Sequence, residues 1–269
     1  MLNRLLSYLY VFYFFSTSAF LVWIAAAICL CTKWSDPNRK LVHRYSCWWG
    51  FHYIKVNPFW KISFEGVEKI DPDKTYVMVS NHQSLWDIMV LYGLNRPYKW
   101  VSKESIYNIP FIGWNMLLNQ YVKVARGDLK SIKEMMATCR KWLNQGASIM
   151  IFPEGTRSLD GEMLEFRDGP FKLASDCKVP VIPIVIDGTH GCLPKGTLML
   201  NFVGDIKVRV LDPVNPEDFP SVKKFRDYVR EEMATKLDEL RGRPHVIAAA
   251  PTRTKKVTAE PTQESVSQS

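Results

Sequence analysis

The chain has 269 residues, 47% of them hydrophobic, so it can bury a full core and fits one large domain with appendages. It carries 35 lysines and arginines against 27 acidic residues, a formal net charge of +8. A basic balance suits a polyanionic partner, but no nucleic-acid-binding signature is present, which leaves an anionic membrane surface or a phosphorylated small molecule. The six cysteines form no C-x-x-C pair, which argues against a metal site or a disulfide framework and fits a reducing cytosol.

The first predicted element is an apolar helix at the N-terminus. Residues 9–31, "LYVFYFFSTSAFLVWIAAAICLC", contain no charge and are long enough to span a bilayer. A cleaved signal peptide is the main alternative, because residues 25–27 are small alanines. The apolar run is longer than the usual signal-peptide core and a second membrane-suited segment follows it, so we favour an anchor. Both a full span and insertion into one leaflet are compatible with this sequence.

The second segment, residues 41–66, interleaves aromatic rings with cations, as in "LVHRYSCWWGFHYIKVNPFWKISFEG". Such a mixture suits the headgroup region of a membrane. More cations follow the apolar run than precede it, and the positive-inside rule then places the rest of the chain on the cytosolic side. We therefore predict a membrane-anchoring unit over residues 1–66.

Residues 67–243 have the texture of an α/β domain. Short apolar, β-branched runs predict five strands, at Tyr76–Ser80, Ser148–Phe152, Val181–Ile186, Leu198–Val203 and Ile206–Leu211. Helical periodicity predicts one helix between Asp128 and Gly146 and another from Ser221 to Leu240. Alternation of strands and helices predicts a mostly parallel central sheet covered by helices, with the last two strands close enough in sequence to pair as a hairpin. Residues 244–269 are polar and rich in Pro, Thr and Ser, and we predict a disordered tail.

The stretch "SNHQSLWD" places His82 five residues before Asp87. On a regular helix that spacing is a rotation of about 140°, so the two side chains meet only if the helix begins between them. Ser84 is a good N-cap, and it would put Asp87 in the first turn. Asp87 would then cap the helix, orient the His82 ring, or both. A carboxylate that accepts from Nδ1 leaves Nε2 free to take a proton from a hydroxyl, while the alternative is a turn histidine bonded to backbone.

A second polar turn follows another predicted strand, in "IMIFPEGTRSLDG" (residues 149–161). Gly155 allows close approach of the backbone to a ligand, and Arg157 offers a planar fork of donors suited to phosphate. The alternative is a surface turn with a local Glu154–Arg157 ion pair. Arg126, by itself, is equally compatible with an exposed cation before a helix. Pro180 and Pro183 interrupt an otherwise strong strand, which predicts an irregular position that frames a site.

Together these residues resemble the glycerolipid acyltransferase family. Its first motif, N-H-x-x-x-x-D, is matched by Asn81, His82 and Asp87, and its third, F-P-E-G-T-R-S, by residues 152–158. The fourth motif is matched by residues 179–183. The second motif is matched only by Arg126, because Leu117-Leu118-Asn119 stands where a glycine is usual. No G-x-S-x-G elbow occurs, so a serine hydrolase has little support.

The resemblance implies a reaction and the residues that perform it. His82 would act as general base on a lysophospholipid hydroxyl, oriented by Asp87, and the oxygen would attack the thioester of acyl-CoA or acyl carrier protein. The family pattern implies an acceptor site for a lysophosphatidic acid and its phosphate, formed by Asn81, Arg126, Glu154, Gly155, Thr156 and Arg157. It implies membrane lipids as partners, no nucleic acid, no metal and no bound cofactor.

Three alternatives stay open at the level of sequence. The acceptor could instead be glycerol-3-phosphate, another lysophospholipid or a lyso-aminolipid, since these differ in pocket shape. A non-catalytic membrane scaffold would be expected to have lost part of the motifs, which are intact here. A lipid-transfer protein would need no ordered His–Asp pair. Acyl-chain length, the choice of donor and the oligomeric state leave no signal in the sequence.

Overall fold

The computed structural model describes residues 2–244, and its chain begins with two long helices that pack antiparallel, α1 (Leu2–Cys31) and α2 (Lys40–Lys55). Helix α1 buries hydroxyl-bearing side chains, and the Tyr53 hydroxyl of α2 lies 2.8 Å from Thr17 Oγ1 and 2.9 Å from Ser18 Oγ. Its large apolar side chains point outward instead, with Phe12 72% exposed. Polar groups turned inward and rings turned outward are typical of a helix in lipid.

Seven strands form one sheet in the order β1-β7-β6-β2-β5-β3-β4. All neighbouring pairs are parallel except β6 and β7, which confirms the predicted mostly parallel sheet. The strands are β1 (Trp60–Glu65), β2 (Val77–Ser80), β3 (Lys99–Lys103), β4 (Val122–Val124), β5 (Ile149–Ile151), β6 (Val181–Asp187) and β7 (Gly204–Val210).

Helices cover both faces of the sheet, as predicted. They are α3 (Trp86–Leu91), α4 (Ile112–Leu118), α5 (Leu129–Asn144), α6 (Gly169–Cys177), α7 (Thr189–Cys192) and α8 (Val222–Arg241). Short 3-10 turns lie at Val67–Lys69, Tyr92–Leu94, Glu104–Asn108 and Pro216–Asp218. Central strands are buried on both faces: Ile182 and Ile184 face the α1–α2 side, whereas Val181 and Val185 face α5, α6 and α8.

The two predicted helices are confirmed with their caps. Asp128 Oδ1 accepts from the backbone N–H of Lys130 at 2.8 Å before α5, and Ser221 Oγ accepts from Lys224 at 3.3 Å before α8. Gly146 follows α5 with a φ of 77°. Of the predicted tail, only the first residue, Pro244, belongs to the part of the chain that the structure describes.

Two predictions about strands are wrong. Residues 198–203 are irregular, because their backbone bonds elsewhere: the Leu200 N–H donates to Ser7 Oγ at 3.0 Å, and Asn201 C=O accepts from Trp60 Nε1 at 2.9 Å. No hairpin therefore forms with β7, which pairs with β6 and with β1.

Strand β1 lies inside the segment that we assigned to the membrane interface, so the folded sheet begins before residue 67. The anchoring role of the residues before it stays a prediction.

Candidate active site

The loop after β2 brings His82 and Asp87 together as the helix geometry required. Helix α3 begins at Trp86, and Nδ1 of His82 lies 2.7 Å from Oδ2 of Asp87. Ser84 Oγ accepts from the backbone N–H of Trp86 at 3.2 Å, but Leu85 and not the predicted Ser84 is the residue directly before the helix. The start of the helix between the two residues is thus confirmed.

The Asp87 carboxylate is fully buried and surrounded by donors. Its Oδ2 also accepts from the backbone N–H groups of Gln83 (2.6 Å) and Ser84 (2.8 Å), and its Oδ1 accepts from the Thr189 hydroxyl. These bonds offset the cost of removing a charged group from water. Asp87 therefore both caps α3 and fixes the histidine, so the two interpretations hold at once.

The His82 ring is held on its face as well as at its edge. It stacks on Phe152 with ring centroids 3.8 Å apart and an interplanar angle of 7°. Because Nδ1 donates to Asp87, Nε2 carries the lone pair, and it has no hydrogen bond to any group in residues 2–244. A histidine in this state is a ready proton acceptor at a fixed position.

The turn after β5 holds the His82 backbone from both sides. Glu154 Oε1 accepts from the His82 N–H at 2.8 Å, and the Ser158 N–H donates to the His82 carbonyl at 2.9 Å. Glu154 Oε2 accepts from the Leu164 N–H at 3.2 Å, and burial raises the pKa of this carboxyl to about 7. Glu154 lies at the site, but its oxygens bond to the protein's own backbone, so we assign it a positioning role in place of a phosphate contact.

Asn81 also lies at the site with its side chain already engaged. Its amide nitrogen donates to the Ile186 carbonyl at 2.8 Å, and its amide oxygen accepts from the Ile186 N–H at 2.9 Å. The side chain thereby extends the pairing of β2 with β6 where β2 ends. These two bonds hold Asn81 against β6, so we assign it a role in positioning the histidine that follows it.

Three guanidinium groups gather beside this turn. Burial and the charges of Arg167 and Arg157 lower the pKa of Arg126, so each of these two cations lies close enough to Arg126 to repel its charge. Within residues 2–244 none of the three forms an ion pair. Arg126 and Arg157 were predicted for the site, whereas Arg167 was not. Several arginines that lie close together without carboxylate partners are a preferred arrangement for binding a phosphate.

Gly155 explains how Arg167 reaches the turn. Its φ is 69°, and a Cβ at this position would lie 2.7 Å from Arg167 Nε. Lys195 was also missed: its ammonium donates to the Arg157 carbonyl at 2.7 Å and lies 3.4 Å from Thr156 Oγ1. Lys103 ends β3 on the same carboxyl edge of the sheet. That edge is where parallel sheets place their sites.

An apolar cavity of about 340 Å³ lies between α1, α2, α3 and α4. Aromatic rings form much of its wall, among them Phe14, Trp49, Trp86, Tyr92 and Trp100. Trp100 stacks on Phe152 at 5.5 Å, and Phe152 stacks on His82, so the cavity wall and the histidine share one ring contact. An apolar cavity beside a polar site suits a hydrocarbon chain with a reactive end.

Comparison with known proteins defines the class to which this arrangement belongs. Residues 61–187 match the family model described as Acyltransferase, so the chain belongs to the acyltransferase family. A 1-acyl-sn-glycerol-3-phosphate acyltransferase of Chlamydomonas reinhardtii is 38% identical over 181 residues, which cover 67% of this chain and 54% of that protein. One from Saccharomyces cerevisiae is 32% identical, with 71% and 64% covered. This chain thus spans between half and two thirds of these relatives.

A solved structure has the same fold. The 1-acyl-sn-glycerophosphate acyltransferase PlsC of Thermotoga maritima superposes with a TM-score of 0.74 and 27% sequence identity. The match covers 91% of this chain and all of that one, so it includes the N-terminal helices as well as the sheet. The similarity therefore extends beyond the segment that the family model covers.

Proposed function

We propose that this protein transfers a fatty acyl group from acyl-CoA or acyl carrier protein to the sn-2 hydroxyl of 1-acyl-sn-glycerol-3-phosphate, giving phosphatidic acid. The observation that carries the proposal is the buried His82–Asp87 pair, 2.7 Å apart, with Nε2 unbonded. The relatives at 38% and 32% identity have the same named activity, which supports this choice of substrate.

The chemistry needs few groups. Nε2 of His82 takes the proton of the acceptor hydroxyl while that oxygen attacks the thioester carbonyl. The new C–O ester bond forms, the C–S bond breaks, and the leaving thiolate recovers the proton from His82. Asp87 keeps the ring in the required tautomer and stabilises the imidazolium formed in between. No external oxidant or reductant enters this balance.

In this proposal, the phosphate of the acceptor binds to the arginine cluster of Arg126, Arg157 and Arg167. Its acyl chain is placed in the 340 Å³ cavity, whose wall meets the His82 side of the site through Phe152. Charge at one end and an apolar cavity at the other match the two ends of a lysophosphatidic acid. A soluble acceptor such as glycerol-3-phosphate has no acyl chain of its own to place in the cavity.

The protein is proposed to work at a membrane, with the catalytic domain on the cytosolic face. By length and composition α1 can cross a bilayer, and its apolar side chains face outward along most of its length. Because α1 packs on α2 and α4, we expect a membrane that α1 enters to lie beside the domain that carries the site, so that the site is near the boundary between lipid and water. A lipid acceptor and a water-soluble donor meet at such a boundary.

The test is an acceptor panel with purified full-length protein. The donor would be a labelled acyl group, carried either by CoA or by acyl carrier protein. Each donor would be offered with lysophosphatidic acid, lysophosphatidylcholine, a lyso-aminolipid and glycerol-3-phosphate. We expect labelled phosphatidic acid from the first acceptor at the highest kcat/KM, and a rate lower by about 10²–10⁴-fold from the His82→Ala variant. Absence of transfer to every lysophospholipid would refute the proposal.

A further inference from the structure

A second apolar groove, of about 400 Å³, lies on the outer side of α1. Helices α1 and α4 form its two walls, from Val22, Trp23, Ala26 and Cys29 on one side and Trp114, Leu117 and Leu118 on the other. The rings of Trp23 and Trp114 meet edge to face at 6.4 Å, yet they are 66% and 46% exposed. The groove therefore continues the outward apolar surface of α1.

Arg39 lines one end of this groove. Its Nη1 donates to the Cys29 carbonyl at 3.3 Å, while its Nε is buried and has no hydrogen-bond partner within residues 2–244. The one acidic residue in the connection between α1 and α2 is Asp36, whose oxygens accept from the N–H groups of Lys40 (2.9 Å) and Leu41 (2.7 Å). Among residues 2–244, the Arg39 guanidinium therefore has no carboxylate as an ion-pair partner.

The surroundings of Arg39 match a lipid headgroup layer. Lys33 and Lys40 are exposed within seven residues of Arg39 in the sequence, as is Arg44 in α2, and Trp34 is 88% exposed with the Lys33 ammonium 6.0 Å from its ring. Exposed tryptophan combined with lysine and arginine is typical of the membrane interface. Anionic lipids are attracted to such clusters of cations.

We propose that this groove binds one anionic phospholipid of the surrounding bilayer, with a fatty chain lying along the apolar wall that Trp23 and Trp114 form and its phosphate on Arg39. The site is separate from the catalytic one. At a helical rise of about 1.5 Å per residue, α1 carries Cys29 about 28 Å from Tyr10, which packs on Trp86 at the start of α3. Lipid bound here anchors the second end of α1 at the membrane surface, independently of acyl transfer.

The first test is binding to vesicles without an acyl donor. Full-length protein would be sedimented with phosphatidylcholine vesicles that contain or lack phosphatidylglycerol. Arg39→Asn removes the cation but suits the left-handed backbone at this position, where φ is 56°. We expect it to lower affinity for the anionic vesicles about fivefold, the effect of one cation near a charged membrane, with Arg39→Lys close to wild type.

The matched control is Lys133→Gln, which removes one exposed cation from α5. It should leave vesicle binding unchanged, and all variants should bind phosphatidylcholine vesicles alike. Equal binding of Arg39→Asn and Lys133→Gln to the anionic vesicles would overturn the proposal.

A second measurement locates the lipid. Brominated-chain phosphatidylglycerol should quench tryptophan fluorescence more than brominated phosphatidylcholine does, and replacing both Trp23 and Trp114 by Phe should reduce that difference. Equal quenching by the two lipids would show only general contact with the bilayer and contradict a specific site. The His82→Ala variant should retain the anionic-lipid effect, so failure of this site and failure of the proposed reaction are distinguishable.

Discussion

Thr189 donates its hydroxyl proton to Oδ1 of Asp87, the oxygen that faces away from His82, across 102 positions of sequence. Both residues are fully buried, so this bond is shielded from competing water. Thr189 opens α7 directly after β6, and Asp87 lies in α3 after β2. The orientation of His82 and Asp87 therefore depends on the segments that follow the neighbouring strands β2 and β6.

Thr189→Val tests this dependence, because it preserves shape and removes the donor. We expect kcat to fall roughly tenfold, with little change in KM, since Asp87 loses the partner that fixes its second oxygen; a lost bond to a charged group is worth about 1.5–3 kcal/mol. Thr189→Ser should restore most of the rate. Steady-state kinetics of the three proteins provide the measurement, and equal kcat values for all three would contradict the role.

His82→Ala tests the general base directly. Loss of such a group typically costs about 10²–10⁴-fold in rate, and we expect a fall of that size in kcat. The His82 backbone bonds to Glu154 and Ser158 persist in the variant, so the fold should remain. Thermal unfolding and vesicle binding serve as controls, and activity close to that of wild type would exclude His82 as the base.

Glu154 predicts a specific dependence of stability on pH. Its pKa rises from 4.5 to about 7 on folding because burial disfavours the charged form, so the folded state binds the extra proton. Stability therefore falls as the pH rises from 4.5 to about 7, by at most about 3 kcal/mol.

Glu154→Gln should lose this pH dependence, although it also loses one of the two acceptors for the His82 and Leu164 N–H groups. Denaturant unfolding across the same pH range measures the difference between the two proteins. Glu165→Gln, at an exposed position in the following segment, is the matched control and should parallel wild type. A constant difference between wild type and Glu154→Gln would show that the carboxyl does not titrate there.

The arginine cluster predicts a defect specific to phosphate. Arg157→Met and Arg167→Met should each raise KM for lysophosphatidic acid by roughly tenfold to a hundredfold, the value of a charge-assisted bond. With monoacylglycerol, which lacks the phosphate, the variants and wild type should behave alike. Arg140→Met, which removes an arginine paired to Asp176 on α6, is the control for loss of a cation. A KM defect of the same size with both acceptors would refute the assignment.

The 340 Å³ cavity predicts an effect of acyl-chain length. Met116 lines it and is almost fully buried, so Met116→Trp would occupy part of its volume. We expect the variant to lose rate with lysophosphatidic acids that carry long acyl chains and to keep it with those that carry short ones. The volume-conserving Met116→Leu should resemble wild type. A competition assay with mixed chain lengths measures this, and a uniform loss across lengths would point to a folding defect.

The sequence by itself determined the features that depend on near neighbours. The caps of α5 and α8 could be predicted because Asp128 and Ser221 bond to N–H groups two and three residues away. The pairing of His82 with Asp87 could be predicted for the same reason, since helix geometry over five residues allows contact only if the helix begins between them. Both motifs at the ends of β2 and β5 were therefore recognisable without a fold.

Only the tertiary structure decided what the remaining polar groups do. Asn81 and Glu154 were assigned to the substrate, but partners 105 and 72 residues away already occupy their side chains. Residues 60–65 have the composition of a membrane interface, yet they pair with a strand more than 140 residues later and join the sheet. Thr189 and Arg167 gave no local signal at all. A buried hydrogen bond selects its partner by position in space, and that position is fixed only when the strands are in register.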